Sequence, residues 1–188
     1  AIYVASAIGA SSNCPPHLTA IAKHMGIDFG IENWEKLGHD IPLLVNCQPA
    51  GEHLMEGFFK AGGIPVIMQE LLKNNKLNKN VMTVTGKTIE ENLKIKKNND
   101  ENVIKSFKNP LVVNAGFIVM KSNFFSSAVM KTSVISSEFR ERYLSNSKNP
   151  NVFEANAVVF EGPEDYHLRI NDESLEINEN SILMIRGC

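Results

Sequence analysis

Cysteine is scarce in this chain. Cys14, Cys47 and Cys188 are widely spaced and form no C-x-x-C pair. An odd count argues against a closed disulfide framework, and free thiols in a reducing compartment are the plainer reading. Histidine is equally unhelpful as a metal signal: His17, His24, His39, His53 and His167 include no H-E-x-x-H spacing. His17 and His24 lie seven residues apart, too far along a helix for one metal without further ligands. No apolar run approaches the roughly 18 residues of a membrane-spanning helix. No basic region precedes the apolar start Ala1-Ile2-Tyr3-Val4-Ala5, so that stretch reads as core and not as a signal peptide. Neither sign of charge dominates. With 19 basic and 21 acidic residues the net charge is -2, which marks neither nucleic acid nor a membrane surface as a partner. No internal repeat is visible.

What is present is ordinary globular material: 188 residues, 43% hydrophobic and 21% charged, enough for a core. Pro15-Pro16 suit a helix first turn, Leu18, Ile21, Ala22 and Met25 follow at helical spacing, and Gly26 closes the helix. Asp28 or Gly30 is expected to cap a short helix carrying Trp34 and Leu37. Leu43-Leu44-Val45 reads as a short strand. A third helix carries Leu54, Met55, Phe58 and Phe59 up to Gly62-Gly63. A fourth opens at Pro65 and buries Val66, Ile67, Leu71 and Leu72. Met82-Thr83-Val84 reads as a strand and residues 89–93 as a helical turn.

After about residue 105 the texture changes to short β-branched or apolar runs: residues 111–113, 117–120, 128–130, 157–160 and 182–185. Only residues 137–144 and 164–170 look helical between them. Residues 1–104 are therefore expected to be α/β and residues 105–188 β-rich and barrel-like, with a boundary between Asn98 and Pro110. The lysine-rich stretches at 73–80 and 94–101 carry no interleaved aromatics and read as solvated loops or helix ends. The chain begins without Met in an apolar run and stops directly after another, Ile182-Leu183-Met184-Ile185. Both ends are expected to be cut from a longer polypeptide.

Four local motifs suggest chemistry. Thr83-Val84-Thr85-Gly86-Lys87-Thr88 resembles the end of a phosphate-binding loop, but the position that requires glycine is Val81. A strand running into a helix capped by Thr88 and Glu91 explains it better. Gly9-Ala10-Ser11-Ser12-Asn13 is a small polar loop before a helix. Its backbone and hydroxyl donors could hold a carboxylate or phosphate, although N-capping by Ser12 or Asn13 is the plainer account. Glu52 and Glu56 are spaced to share a helix face and hold a divalent ion, yet no third carboxylate is in view, which favours solvation. Glu164 and Asp165 suit a helix dipole, which accounts for residues 160–167 without a ligand.

Several blocks together resemble the dihydroxy-acid and phosphogluconate dehydratase family. Ala7-Ile8-Gly9-Ala10-Ser11-Ser12-Asn13 is similar to that family's A-I-G-G-S-T-N block, departing at Ala10 and Ser12. Gln48-Pro49-Ala50-Gly51 with Ala61-Gly62-Gly63-Ile64-Pro65, then Thr83-Val84-Thr85-Gly86-Lys87-Thr88, then Phe160-Glu161-Gly162-Pro163-Glu164 continue the match in order. Cys14-Pro15-Pro16-His17-Leu18, residues 40–46, residues 130–136 and Glu164-Asp165-Tyr166-His167 look like the sugar-acid branch, the xylonate and arabinonate dehydratases.

The resemblance implies an incomplete version of a two-domain dehydratase. Its α/β domain would be followed by a swivelling-barrel domain, with the active site between them. It implies loss of water from an aldonic acid to give a 2-keto-3-deoxy acid. An iron–sulfur cluster would act on the C3 hydroxide, Mg²⁺ would hold the carboxylate end, and a serine would take the C2 proton. It places the cluster cysteines and most Mg²⁺ ligands before Ala1, and the catalytic serine after Cys188. No catalytic or metal-binding residue is thus expected here, and the substrate-binding candidates are Ser11, Ser12 and Asn13. A homo-oligomer in the cytoplasm, or in the mitochondrion of a eukaryote, is also implied. Three hypotheses follow: an inactive piece or degenerate copy of such an enzyme, a module complementing a separate remainder, or an independent small-molecule binder using the Gly9 loop.

Overall fold

The computed structural model describes residues 1–94, 97–123, 126–145, 148 and 152–187. Ile95, Lys96 and Cys188, which figured in the sequence reading, lie outside them. The chain is mixed α/β and divides into two compact units, residues 1–135 and 136–188. No helix is long and apolar enough to cross a membrane among the described residues.

The first unit is organised around the extended segment 41–45, in which Ile41, Leu43, Leu44 and Val45 are all buried. Buried backbone must find partners, and here they come from both sides. The Leu44 N–H donates to the Ala7 carbonyl (2.8 Å), while the Leu44 carbonyl accepts from Lys105 N–H (2.7 Å). Leu43 and residues 111–112 exchange bonds of 2.9 and 2.8 Å, and the Ile41 carbonyl accepts from Ala115 N–H (3.0 Å). The expected strand at 43–45 is thus a set of single bridges to Val112 and Ile104 rather than a ladder. Helices α4 (Met55–Ala61) and α5 (Gly63–Lys73) cover this segment with Phe58, Ala61, Val66, Ile67 and Leu71. Leu72, expected in the core, is only partly buried.

A second cluster joins α1 (Ile2–Ala7), α3 (Glu32–Gly38) and β1 (Phe117–Met120). Fully buried Trp34 meets Phe117 edge-on at 5.0 Å between ring centroids and Phe29 at 6.2 Å. The three elements approach closely because Gly38 and Gly116 lack side chains. A Cβ on Gly116 would lie 1.8 Å from the Gly38 carbonyl oxygen. The α3 cap is Ile31, not Asp28 or Gly30, and it makes no side-chain capping bond. β1 pairs antiparallel with β2 (Ala128–Lys131), setting Lys131 opposite Phe117.

Helix α2 (Cys14–His24) ends at Gly26, as its sequence predicts. Gly26 has φ 68°, and the Ile27 N–H reaches back to the Ala22 carbonyl at 2.9 Å. Its stripe is only half used, since Leu18 and Ala22 are partly buried while Ile21 and Met25 are exposed. α4 behaves similarly: Phe58 is buried but Phe59 is 81% exposed.

In the second unit β3 (Asn156–Phe160) and β4 (Ser181–Ile185) pair in parallel. α7 (Ser137–Tyr143) and α8 (Pro163–Arg169) fall where the sequence predicts helix. Asp165 accepts from the Glu161 N–H at 2.9 Å, so the acidic helix start is used in its own turn. The strands seen make two separate two-stranded sheets.

The glycines supply a direct test of this packing. Gly116→Ala should cost about 3 kcal/mol, because the new methyl meets backbone and forces α3 away from β1. Gly86→Ala, at φ 71° with open space around it, should cost only about 1 kcal/mol of backbone strain. Urea unfolding followed by Trp34 emission separates the two.

Candidate functional site

The Gly9 loop is made by a helix stop. α1 ends at Ala7, Gly9 adopts φ 62°, and two bonds seal the end: Ala10 N–H to Ala5 carbonyl (2.9 Å) and Gly9 N–H to Ser6 carbonyl (3.1 Å). Left-handed glycine is the usual way to close a helix like this. A side chain there would also strike Leu43, whose Cδ1 lies 2.8 Å from the position of a Cβ. Asn13 sits at the N-cap of α2, but its side chain makes no capping bond and neither does Ser12. The expected cap is replaced by a smaller turn, in which the Ser11 hydroxyl accepts from the Asn13 N–H at 3.2 Å.

Beside this loop lies a cleft of about 480 Å³. Residues 8–12 form one wall, residues 47–50 another, Leu43 and Val45 the floor, and Met55 and Phe58 of α4 a third side. Lys131 enters from β2 and donates from Nζ to the Gly9 carbonyl at 3.1 Å. Ser11 and Ser12 line the cleft and Asn13 does not. The second wall is shaped by Asn46. Its Oδ1 accepts from Glu52 N–H (3.0 Å) and its Nδ2 donates to the Glu52 carboxylate (3.2 Å). Glu52 precedes α4, so it does not share a helix face with Glu56, which instead pairs with Lys60 at 2.6 Å. The paired-carboxylate reading is corrected accordingly.

Lys131 and Gln48 fall within blocks that carry the family resemblance, but neither is given a role at the site by sequence alone. Lys131 lies 122 positions from the carbonyl that it contacts, and no local pattern signals such a meeting. The thiol of Cys47 also lines the cleft. Burial pushes its pKa up from the ordinary thiol value. Among the described residues no three His, Cys, Asp or Glu side chains gather where they could hold a metal.

The phosphate-loop look-alike is closed by its own bonds. Thr83 Oγ1 donates to the Lys87 carbonyl (2.8 Å) and accepts from Asn92 Nδ2 (2.7 Å), and Gly86 N–H is taken by the Thr83 carbonyl. The Thr88–Glu91 capping box of α6 (Ile89–Leu93) is complete. The backbone donors that a phosphate would need are thus partly spent.

These features define a segment with a substrate-sized cleft. Residues 1–92 match the dihydroxy-acid/6-phosphogluconate dehydratase N-terminal family, and residues 102–188 match the corresponding C-terminal family. The chain belongs to the dihydroxy-acid/6-phosphogluconate dehydratase family. It is 50% identical over 187 residues to a D-xylonate dehydratase of Caulobacter vibrioides, covering 100% of this chain and 31% of that protein. It is 38% identical over 189 residues to an L-arabinonate dehydratase of Rhizobium leguminosarum bv. trifolii, again 100% of this chain and 31% of the relative. A dihydroxy-acid dehydratase of Acetivibrio thermocellus is 37% identical over 139 residues, which is 73% of this chain and 25% of that protein. The chain thus spans about a third of the length of its full-coverage curated relatives.

The capping box gives a pH prediction. Hydrogen bonds from the Thr88 backbone and hydroxyl hold the Glu91 carboxyl below its ordinary 4.5. A depressed carboxyl stabilises the fold above the unfolded value and loses that contribution as pH falls through the folded one. The Glu91 carboxyl and the Thr88 amide should therefore titrate together below pH 4.5 by NMR, and Thr88→Ala should move that midpoint upward.

Proposed function

We propose that this chain supplies the loop and cleft walls that receive an aldonic acid in a sugar-acid dehydratase. The match to a D-xylonate dehydratase along the whole chain carries the reading. Ser11, Ser12 and Asn13 would present donors to the acid, the first two from the cleft wall. The reaction is loss of water, with the C2 proton and the C3 hydroxyl leaving to give a 2-keto-3-deoxy acid. Residues beyond these 188 would bring the base, the iron–sulfur cluster and the Mg²⁺, and the chain alone would be inactive. The four strands would begin a larger barrel whose remaining strands complete the open edges of both sheets. The α/β part would pass into that barrel near residue 105, a reading supported by the gap between the two family matches at 92 and 102.

One observation favours the complementing module as the second reading. Ile21 of α2 and Met25 just after it, and Leu54, Met55 and Phe59 around α4, are exposed apolar side chains beside helix faces that are at least partly buried. Such surface usually marks a contact, and the rest of a dehydratase is what would cover it.

Co-expression tests both. The chain with Mg²⁺ alone should form no 2-keto-3-deoxy acid from D-xylonate. Supplying the flanking segments of the Caulobacter vibrioides relative in trans should restore it. Turnover by the unassisted chain would overturn the proposal.

A further inference from the structure

We propose that Lys131 is the residue that makes this cleft select a singly charged, unphosphorylated acid. The inference rests on the reading of the cleft as a sugar-acid site and adds the group that recognises charge.

Among the described residues lining the cleft, Lys131 is the sole one with a charged side chain. Among the described residues it has no carboxylate partner, and its Nζ donates to the Gly9 carbonyl at 3.1 Å. An ammonium has three N–H donors. One is spent on Gly9, which fixes the position of the nitrogen, and two remain. A half-buried cation without a counter-ion is costly, and an entering carboxylate would remove that cost. Its position is not left to a flexible surface strand. Register places Lys131 opposite Phe117, and Phe117 is fully buried against Trp34.

The rest of the lining is neutral. Ser11 and Ser12 offer hydroxyls and Gln48 an amide, all able to donate to and accept from the hydroxyls of a polyol chain. One ammonium matches one carboxylate. A phosphate carries about two negative charges at neutral pH and is usually met by more than one cation or by a guanidinium fork. Among the described residues this lining holds no arginine and no second cation. The family includes dehydratases of a phosphorylated acid, so the distinction matters for substrate choice. A carboxylate has two oxygens, and contact with Lys131 leaves one for any other group of a complete enzyme.

Binding to the 188-residue chain, measured by NMR titration in EDTA, reads this directly, because no metal contributes. D-xylonate should bind saturably. Xylitol, which has the same carbon chain without the carboxylate, should bind at least tenfold more weakly, and 6-phosphogluconate should gain nothing over gluconate. Lys131→Met should weaken D-xylonate tenfold or more with unchanged Trp34 emission, and Lys131→Arg should retain most of the affinity. Equal binding of xylitol and D-xylonate, or unaltered binding to Lys131→Met, would refute the role of Lys131 while leaving the sugar-acid cleft in place. A tenfold preference for 6-phosphogluconate over gluconate would refute the unphosphorylated class. No saturable binding of D-xylonate would sink both the inference and the site reading beneath it.

Discussion

All five residues at 41–45 are buried, and that stretch is the constraint on which the first unit depends. An extended backbone inside a core must have its N–H and C=O groups paired, since each orphan costs about 1–3 kcal/mol. It finds them in the end of α1 and in residues 105–115, which come from either side of it in sequence. Those bonds tie the Gly9 loop and the approach to β1 to one segment. The floor of the cleft is the same segment, seen through Leu43 and Val45. The cleft floor is therefore part of the core itself.

Close approach of backbones is the second condition, and it is met by leaving side chains out. Gly38 and Gly116 let α3 and β1 touch, so that Trp34 and Phe117 can lock edge to face. Gly9 both turns the chain and clears Leu43. The family resemblance keeps glycine at that position while replacing its neighbour with Ala10. The physical reason is visible: Gly9 has the left-handed conformation and the crowded Cβ position.

Helices α2 to α8 were legible because their signals are local, whereas α1, whose residues read only as apolar core, was not. Pro15-Pro16 with Gly26, Gly62-Gly63, and Thr88 with Glu91 each mark an end within a few residues, and the structure places helix ends there. Strand runs at 117–120, 128–130, 157–160 and 182–185 were legible for the same reason. Segments 43–45, 82–84 and 111–113 have strand-like composition but meet their partners only through single bridges. Composition reports that a residue suits extended backbone, and says nothing about how long a partner runs beside it. The capping of α2 was misjudged on similar grounds. Ser11 captured the Asn13 N–H in a tighter turn, a competition that serine and asparagine always offer.

The candidate site divides along the same line. Its loop was readable, because Gly9 to Asn13 are contiguous and their chemistry is plain. Its charge was not, because Lys131 reaches the loop across 122 positions through a chain of causes that no local pattern encodes. Gly116 permits β1 to lie on α3, Trp34 fixes Phe117, pairing carries that register to Lys131, and the Gly9 carbonyl receives the ammonium. Each step is a packing fact, and only the last concerns chemistry. In sequence Lys131 is one basic residue among 19. What singles it out is a neutral cleft around it, and that neutrality belongs to the fold rather than to any stretch of chain.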